Sequence, residues 1–312
     1  MQDSSTCSFR RFLLRFLVPT VGMTLLLAFG IGTAFERYII LGTDQADAGK
    51  LDRFLKSEDP FEIPIFGSSR ALGSYVPGEI DSHCFNYGYV STGNSLMLYL
   101  LRLELQKKRE TPIIMNLDCQ GFDYAPGNLN KYISNIDNPV IREVVGEHYK
   151  WYYSVPVIKY YSIYDDLLAG YFSDKIQLTK FVQHGCAIEK NSNGLSREAF
   201  QARARNLHFS STFRYDEKQF GEILNLLSST KRTVVFVIAP MYRTDLFMRK
   251  VFKQQFREMC QRLQALPNVK VYDFMDMTDD ESDFFNISHV SLDGALKFSR
   301  RLHDRLKNDS VL

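Results

Sequence analysis

The chain lacks clustered cysteines. Cys7, Cys84, Cys119, Cys186 and Cys260 are scattered, with no C-x-x-C pair among them. That spacing argues against a zinc site and against a disulfide framework. At 312 residues the chain needs no covalent staples to hold a core. Histidine is also sparse. His83, His148, His184, His208 and His303 show no ligand spacing, so neither a metal nor a cofactor is expected. Charge of one sign is missing as well: 38 Lys and Arg stand against 36 Asp and Glu, a net charge of +2. With no basic stripe, a nucleic-acid partner is not expected. The acidic run 279–283 reads as a solvated loop rather than a calcium loop. No internal repeat or low-complexity tract is visible.

What remains is an ordinary globular composition, 45% hydrophobic and 24% charged, enough for one large domain or two small ones. One long apolar run stands out. Residues 16–35 carry no charge, about 20 positions, the length that spans a bilayer. Arg10, Arg11 and Arg15 precede it and favour a cytoplasmic N-terminus. A cleaved signal peptide is the competing reading, with Gly32-Thr-Ala34 as its weak cleavage site. The run is long for a signal peptide, and we read it as an uncleaved anchor. The resulting division is a cytoplasmic segment 1–15, a transmembrane anchor 16–36, a juxtamembrane helix or linker 37–60, and a domain 61–312 outside the cytoplasm.

Within that domain, short apolar runs alternate with helical patterns. Ile63–Phe66, 84–88, 112–117, 233–239 and 269–274 read as buried strands. Leucine-rich 96–105, 215–229, 245–266 and 294–306 read as helices, the first with an N-cap in Ser91-Thr-Gly-Asn. The alternation predicts a doubly wound, flavodoxin-like parallel five-stranded sheet of order 2-1-3-4-5. The tyrosine-rich stretch 125–213 has no clean strands and reads as a mostly helical insertion, with helical spacing over 140–153 and 157–172. In this topology the turns after the first three strands and the His289 loop gather on one sheet edge.

Those turns carry recognisable residues. Gly67-Ser-Ser-Arg70 follows the first strand, Asn86-Tyr-Gly88 ends the second, and Asn286-Ile-Ser-His289 follows the last, continuing Val-Ser-Leu-Asp-Gly-Ala-Leu-Lys-Phe298. This set resembles the blocks of the SGNH, or GDSL-type, hydrolases, and its last part is similar to the H-L-x-x-x-G-A-x-x-F run of membrane-anchored extracytoplasmic members. The likeness covers roughly residues 60–120 and 230–306. It implies Ser69 as nucleophile and His289 as base, with Gly88 and Asn116 as oxyanion donors. It further implies a membrane-anchored esterase or O-acyltransferase acting on an acylated cell-envelope glycan or polymer, with an ester substrate and a membrane-bound acyl-donor protein as partners. The chemistry is coherent, because a serine hydroxyl needs a neighbouring base and the intermediate needs N–H donors. Arg70 reads either as an anion-binding residue for the substrate or as a surface ion pair. Two departures are plain. Asn286 stands at the usual position of an aspartate, and Asn116 is one residue out of register with the family's third block. Asp283, six residues before His289, is a substitute acid of doubtful reach. An inactive relative serving as a scaffold in envelope-polymer assembly is the alternative.

Overall fold

The computed structural model describes residues 9–41, 47–90, 94–118, 129–146, 149–160, 180–190, 217–242 and 250–312, with residues 164, 168, 172, 198, 199 and 202. The expected cap at 91–93, most of the loops 118–127 and 190–194, and residues 243–249 lie outside the described residues. The chain divides into two compact units, residues 1–52 with 129–172, and residues 53–128 with 173–312.

The larger unit holds a five-stranded sheet ordered β2-β1-β3-β6-β7, where β1 is Ile63–Gly67, β2 Cys84–Gly88, β3 Ile113–Asn116, β6 Val234–Ile238 and β7 Val269–Asp273. All neighbours are parallel. Counting only these five strands, the order is 2-1-3-4-5, as the alternation predicts. β1, β2, β3 and β6 are buried along their whole length, which is why they read as continuous apolar runs rather than alternating ones, whereas β7 is only partly covered. Ile65, Ile114, Val235 and Val237 share one core with Phe298, Leu302 and Leu306 of the C-terminal helix Leu292–Asn308. Those helix positions recur at three- and four-residue spacing, the stripe of an amphipathic helix. Phe54, Phe66 and Tyr87 form a separate aromatic contact, with ring centroids 5.2–5.9 Å apart.

The stretch expected to be a mostly helical insertion contains a β-hairpin. β4 (Lys180–Gln183) pairs antiparallel with β5 (Cys186–Glu189) around His184 and Gly185, both at positive φ. The His184 carbonyl accepts the Asn86 N–H at 2.9 Å, so the hairpin's turn engages β2. The expected helix 140–153 is two pieces, Pro139–Val145 and a 3₁₀ turn Trp151–Ser154, broken at Gly146 with φ 48°.

The smaller unit contains a helix running from Phe9 to Ile40, long and apolar enough to cross a membrane. It extends beyond the charge-free run at both ends. Its Gly32 meets the short helix Pro156–Lys159 so closely that an added Cβ would lie 2.6 Å from the Val157 nitrogen.

Candidate active site

β1 ends at Gly67 and turns into the short helix Ser69–Ser74. Gly67 has no room for a side chain, since a Cβ there would sit 2.5 Å from Ala71 Cβ and 2.7 Å from Asn116 Cβ. Ser68 is the N-cap, its hydroxyl accepting the Arg70 N–H at 3.1 Å. Ser69 occupies the first helical position, where the backbone N–H has no intrahelical acceptor. Its side chain is therefore free of capping and points to the histidine loop.

That loop is a tight turn between β7 and the C-terminal helix. Phe284 bridges Val290, the Phe285 and Asn286 N–H groups donate to the His289 carbonyl, and Tyr242 N–H donates to the Ile287 carbonyl. His289 Nε2 lies 3.0 Å from Ser69 Oγ, across a sequence gap of 220 residues. His289 Nδ1 lies 3.0 Å from Asn286 Oδ1 and 3.1 Å from Ser288 Oγ.

The orientation of the Asn286 amide decides the proton's place. Asn286 Oδ1 accepts the backbone N–H groups of Ser288 and His289, each at 3.0 Å, and the Ser288 hydroxyl at 3.1 Å. Backbone donors cannot flip, so the amide oxygen, not its NH2, faces the ring. An oxygen acceptor at Nδ1 requires the proton on Nδ1 and leaves the Nε2 lone pair toward Ser69. The amide thus enforces the tautomer a base needs, as in the Cys-His-Asn sites of papain-like proteases. It does not supply a carboxylate's charge to a protonated ring. Asp283 does not take that role. It is buried and paired with Lys297 Nζ at 2.5 Å and Thr278 Oγ1 at 2.8 Å.

His289 is half-buried, and its pKa is held below the ordinary 6.5. Burial is the main cause and the Arg70 guanidinium the second, with Asp118 acting the other way. The ring is therefore neutral at physiological pH.

Arg70 is neither a surface ion pair nor open to a substrate anion. Its side chain is almost wholly buried. It donates to the carbonyls of Ser288 at 3.3 Å, Ala239 at 2.5 Å and Pro240 at 3.3 Å, and to Asp118 at 3.4 Å. One side chain beside Ser69 thereby ties the Ser69 helix to the residue before His289 and to the end of β6.

The expected oxyanion donors already have partners in the structure. The Gly88 N–H donates to Asn86 Oδ1 at 2.8 Å, and a Cβ on Gly88 would be 2.5 Å from the Leu72 nitrogen. Asn86 in turn donates to the carbonyls of Ala71 and Tyr75 at 2.8 and 3.2 Å. This pair is a packing joint between β2 and the Ser69 helix. Asn116 is buried, with its amide fixed between the Tyr75 hydroxyl at 2.9 Å and Asp118 Oδ1 at 2.8 Å. Among the described residues no three or more His, Cys, Asp or Glu side chains group as a metal site.

No protein-family profile and no curated protein matches the sequence. Among solved structures, the chain matches one from Streptococcus pneumonia provisionally described as a platelet activating factor. The match has 12% identity and a TM-score of 0.37, over 91% of this chain and 99% of that one.

Proposed function

We propose that the protein is a membrane-anchored serine esterase or O-acyltransferase, with its α/β domain outside the cytoplasm and an acylated envelope glycan or polymer as substrate. The observation that carries this reading is the relay Ser69 Oγ to His289 Nε2 at 3.0 Å, then His289 Nδ1 to Asn286 Oδ1 at 3.0 Å. In the proposed reaction Ser69 Oγ attacks the acyl carbonyl and its proton passes to His289 Nε2. The Ser69 N–H stabilises the oxyanion. Collapse expels the alcohol, which takes the proton from the imidazolium and leaves an acyl-Ser69 ester. Water or an acceptor hydroxyl, deprotonated by His289, then attacks the acyl-Ser69 carbonyl, and the imidazolium returns the proton to Ser69 Oγ as it leaves.

The alternative is a non-catalytic scaffold on the same fold. It is favoured by the engagement of the Gly88 and Asn116 amides, which leaves the Ser69 N–H as the donor in hand. A fluorophosphonate probe separates the two readings. One adduct per chain on Ser69, lost in Ser69→Ala, is the expected result. Folded protein that stays unlabelled at pH 8 would sink the enzyme reading.

Three further outcomes follow from the ring's surroundings. Asn286→Asp keeps the acceptors of all four hydrogen bonds and adds charge beside Nδ1. The acid limb of kcat/KM is expected to rise in pH, with turnover at pH 7 retained, whereas Asn286→Leu should lose about 10²-fold or more. Equal rates in the Asp and Leu variants would refute the relay. In the wild-type protein that acid limb should lie below 6.5, because His289 is held neutral. Arg70→Met removes a positive neighbour and should move the limb upward while kcat falls. A drop in kcat at an unmoved limb would assign Arg70 a purely structural part.

A further inference from the structure

The smaller unit carries exposed apolar and aromatic side chains. Trp151 is 75% exposed, and Tyr38, Val157, Ile158 and Phe172 are also exposed. Single exposed hydrophobics need no explanation, but this group sits beside a helix able to cross a membrane.

The depth of the contact is fixed by Gly32. Its missing side chain lets the backbone of Pro156 and Val157 touch the helix, within 2.6–2.9 Å of where a Cβ would be. Gly32 lies inside the charge-free run, three residues before its end at Phe35, or about 5 Å along the axis. The polar part of the same contact comes directly after the run ends. Glu36 pairs with Lys159 Nζ at 2.7 Å and accepts from the Tyr160 hydroxyl at 2.6 Å. Ser134 Oγ and its carbonyl complete this knot, at 2.6 Å from Tyr160 and 3.4 Å from Lys159. The segment's charge is therefore tied inward, and its apolar side chains face out at the level where the helix leaves the apolar phase.

We propose that residues 151–159 lie in the headgroup region of the bilayer beside the N-terminal helix, so that the protein contacts lipid twice. This rests on the anchor reading of that helix. The chemistry fits the boundary rather than the hydrocarbon core. Tryptophan and tyrosine have an apolar body and a polar handle and favour the interface. Trp151–Ser154 and Pro156–Lys159 are each a single helical turn whose backbone leaves groups that need water or headgroups. An element of this kind reaches about 5–10 Å into the headgroup and acyl boundary, which matches the depth at Gly32.

The chain has one tryptophan, so fluorescence reports this site alone. The full chain is reconstituted into phosphatidylcholine and phosphatidylglycerol vesicles containing lipids brominated near the headgroup or near the chain end. Trp151 should emit blue-shifted light, lose most of it to the shallow bromines and less to the deep ones, and resist iodide in the buffer. Quenching by iodide with none by bromolipid would place Trp151 in water and overturn the proposal. Protection from both quenchers would mean that protein, such as a second copy, covers the face, and would overturn it equally. Vesicle flotation of the same sample tests the anchor by itself. Protein that floats with Trp151 in water leaves the anchor standing, whereas protein that does not float overturns both.

Discussion

Ser69→Ala should lower turnover of a short-chain aryl ester by roughly 10⁴-fold or more while leaving the fold's stability nearly unchanged, within about 0.5 kcal/mol. The rate loss is large because, among the described residues, Ser69 Oγ is the hydroxyl paired with His289 Nε2, and a base without its serine can only activate water out of position. The stability change is small because Ser69 does not cap its helix. Ser68 does, through the bond to the Arg70 N–H. Ser68→Ala therefore gives the reverse pattern, a loss of about 1 kcal/mol in stability with the relay atoms all present. His289→Ala should match Ser69→Ala in rate, and the double variant should be no slower than either single one, since members of a relay fail as a unit. Steady-state rates and urea midpoints on the four variants check this. A Ser69→Ala protein retaining a tenth of wild-type turnover would remove the serine from the mechanism.

The parallel sheet is legible in the sequence because β-branched and aromatic runs of strand length alternate with helical stripes, and short right-handed crossovers leave only a handful of strand orders. Ser69 and His289 are legible for the same reason: topology places the ends of β1 and β7 on one edge. What the sequence conceals is direction. Gly88 and Asn116 have the residue types of oxyanion donors, yet the Gly88 N–H donates to Asn86 and the Asn116 amide is held between Tyr75 and Asp118. The Asn286 amide could face the ring with either end. The deciding donors are backbone N–H groups of a seven-residue turn, which composition does not encode. The hairpin escapes because its turn residues are His184 and Gly185 rather than Asn-Gly, and because its strands are four residues each. Arg70 looks like a surface residue by type. Only the fold shows three carbonyls converging on it.

The second large effect lies at the other end of the sheet. Arg109→Met should cost about 3–5 kcal/mol, because it strands carboxylates that the fold has already taken out of water. Glu62 precedes β1, Arg109 precedes β3 and Arg232 precedes β6, so their side chains meet where the strands begin. Arg109 pairs with Glu62 at 2.8 Å and Glu104 at 3.3 Å, and Arg232 pairs with Glu104 at 3.0 Å. Glu62 also holds Arg53 at 2.7 Å and the Tyr87 hydroxyl at 2.9 Å. All but Arg53 are buried. Burial already raises the Glu104 pKa above 4.5, against the pull of Arg109 first and Arg232 second. Removing Arg109 raises it further. A carboxyl raised in the folded state keeps its stability below its unfolded pKa and loses it as pH climbs through the folded value. The variant's deficit should therefore be largest near pH 7 and shrink toward pH 4.5, as Glu104 takes up a proton. A loss of packing alone would be the same at both pH values. Arg102→Met, which breaks an exposed pair with Glu222 at 3.1 Å, serves as the control and should cost no more than about 1 kcal/mol at either pH. Urea unfolding of the three proteins at pH 4.5 and 7 reads both quantities. A deficit for Arg109→Met no larger than that of the control would show that the buried charges are held by water rather than by one another.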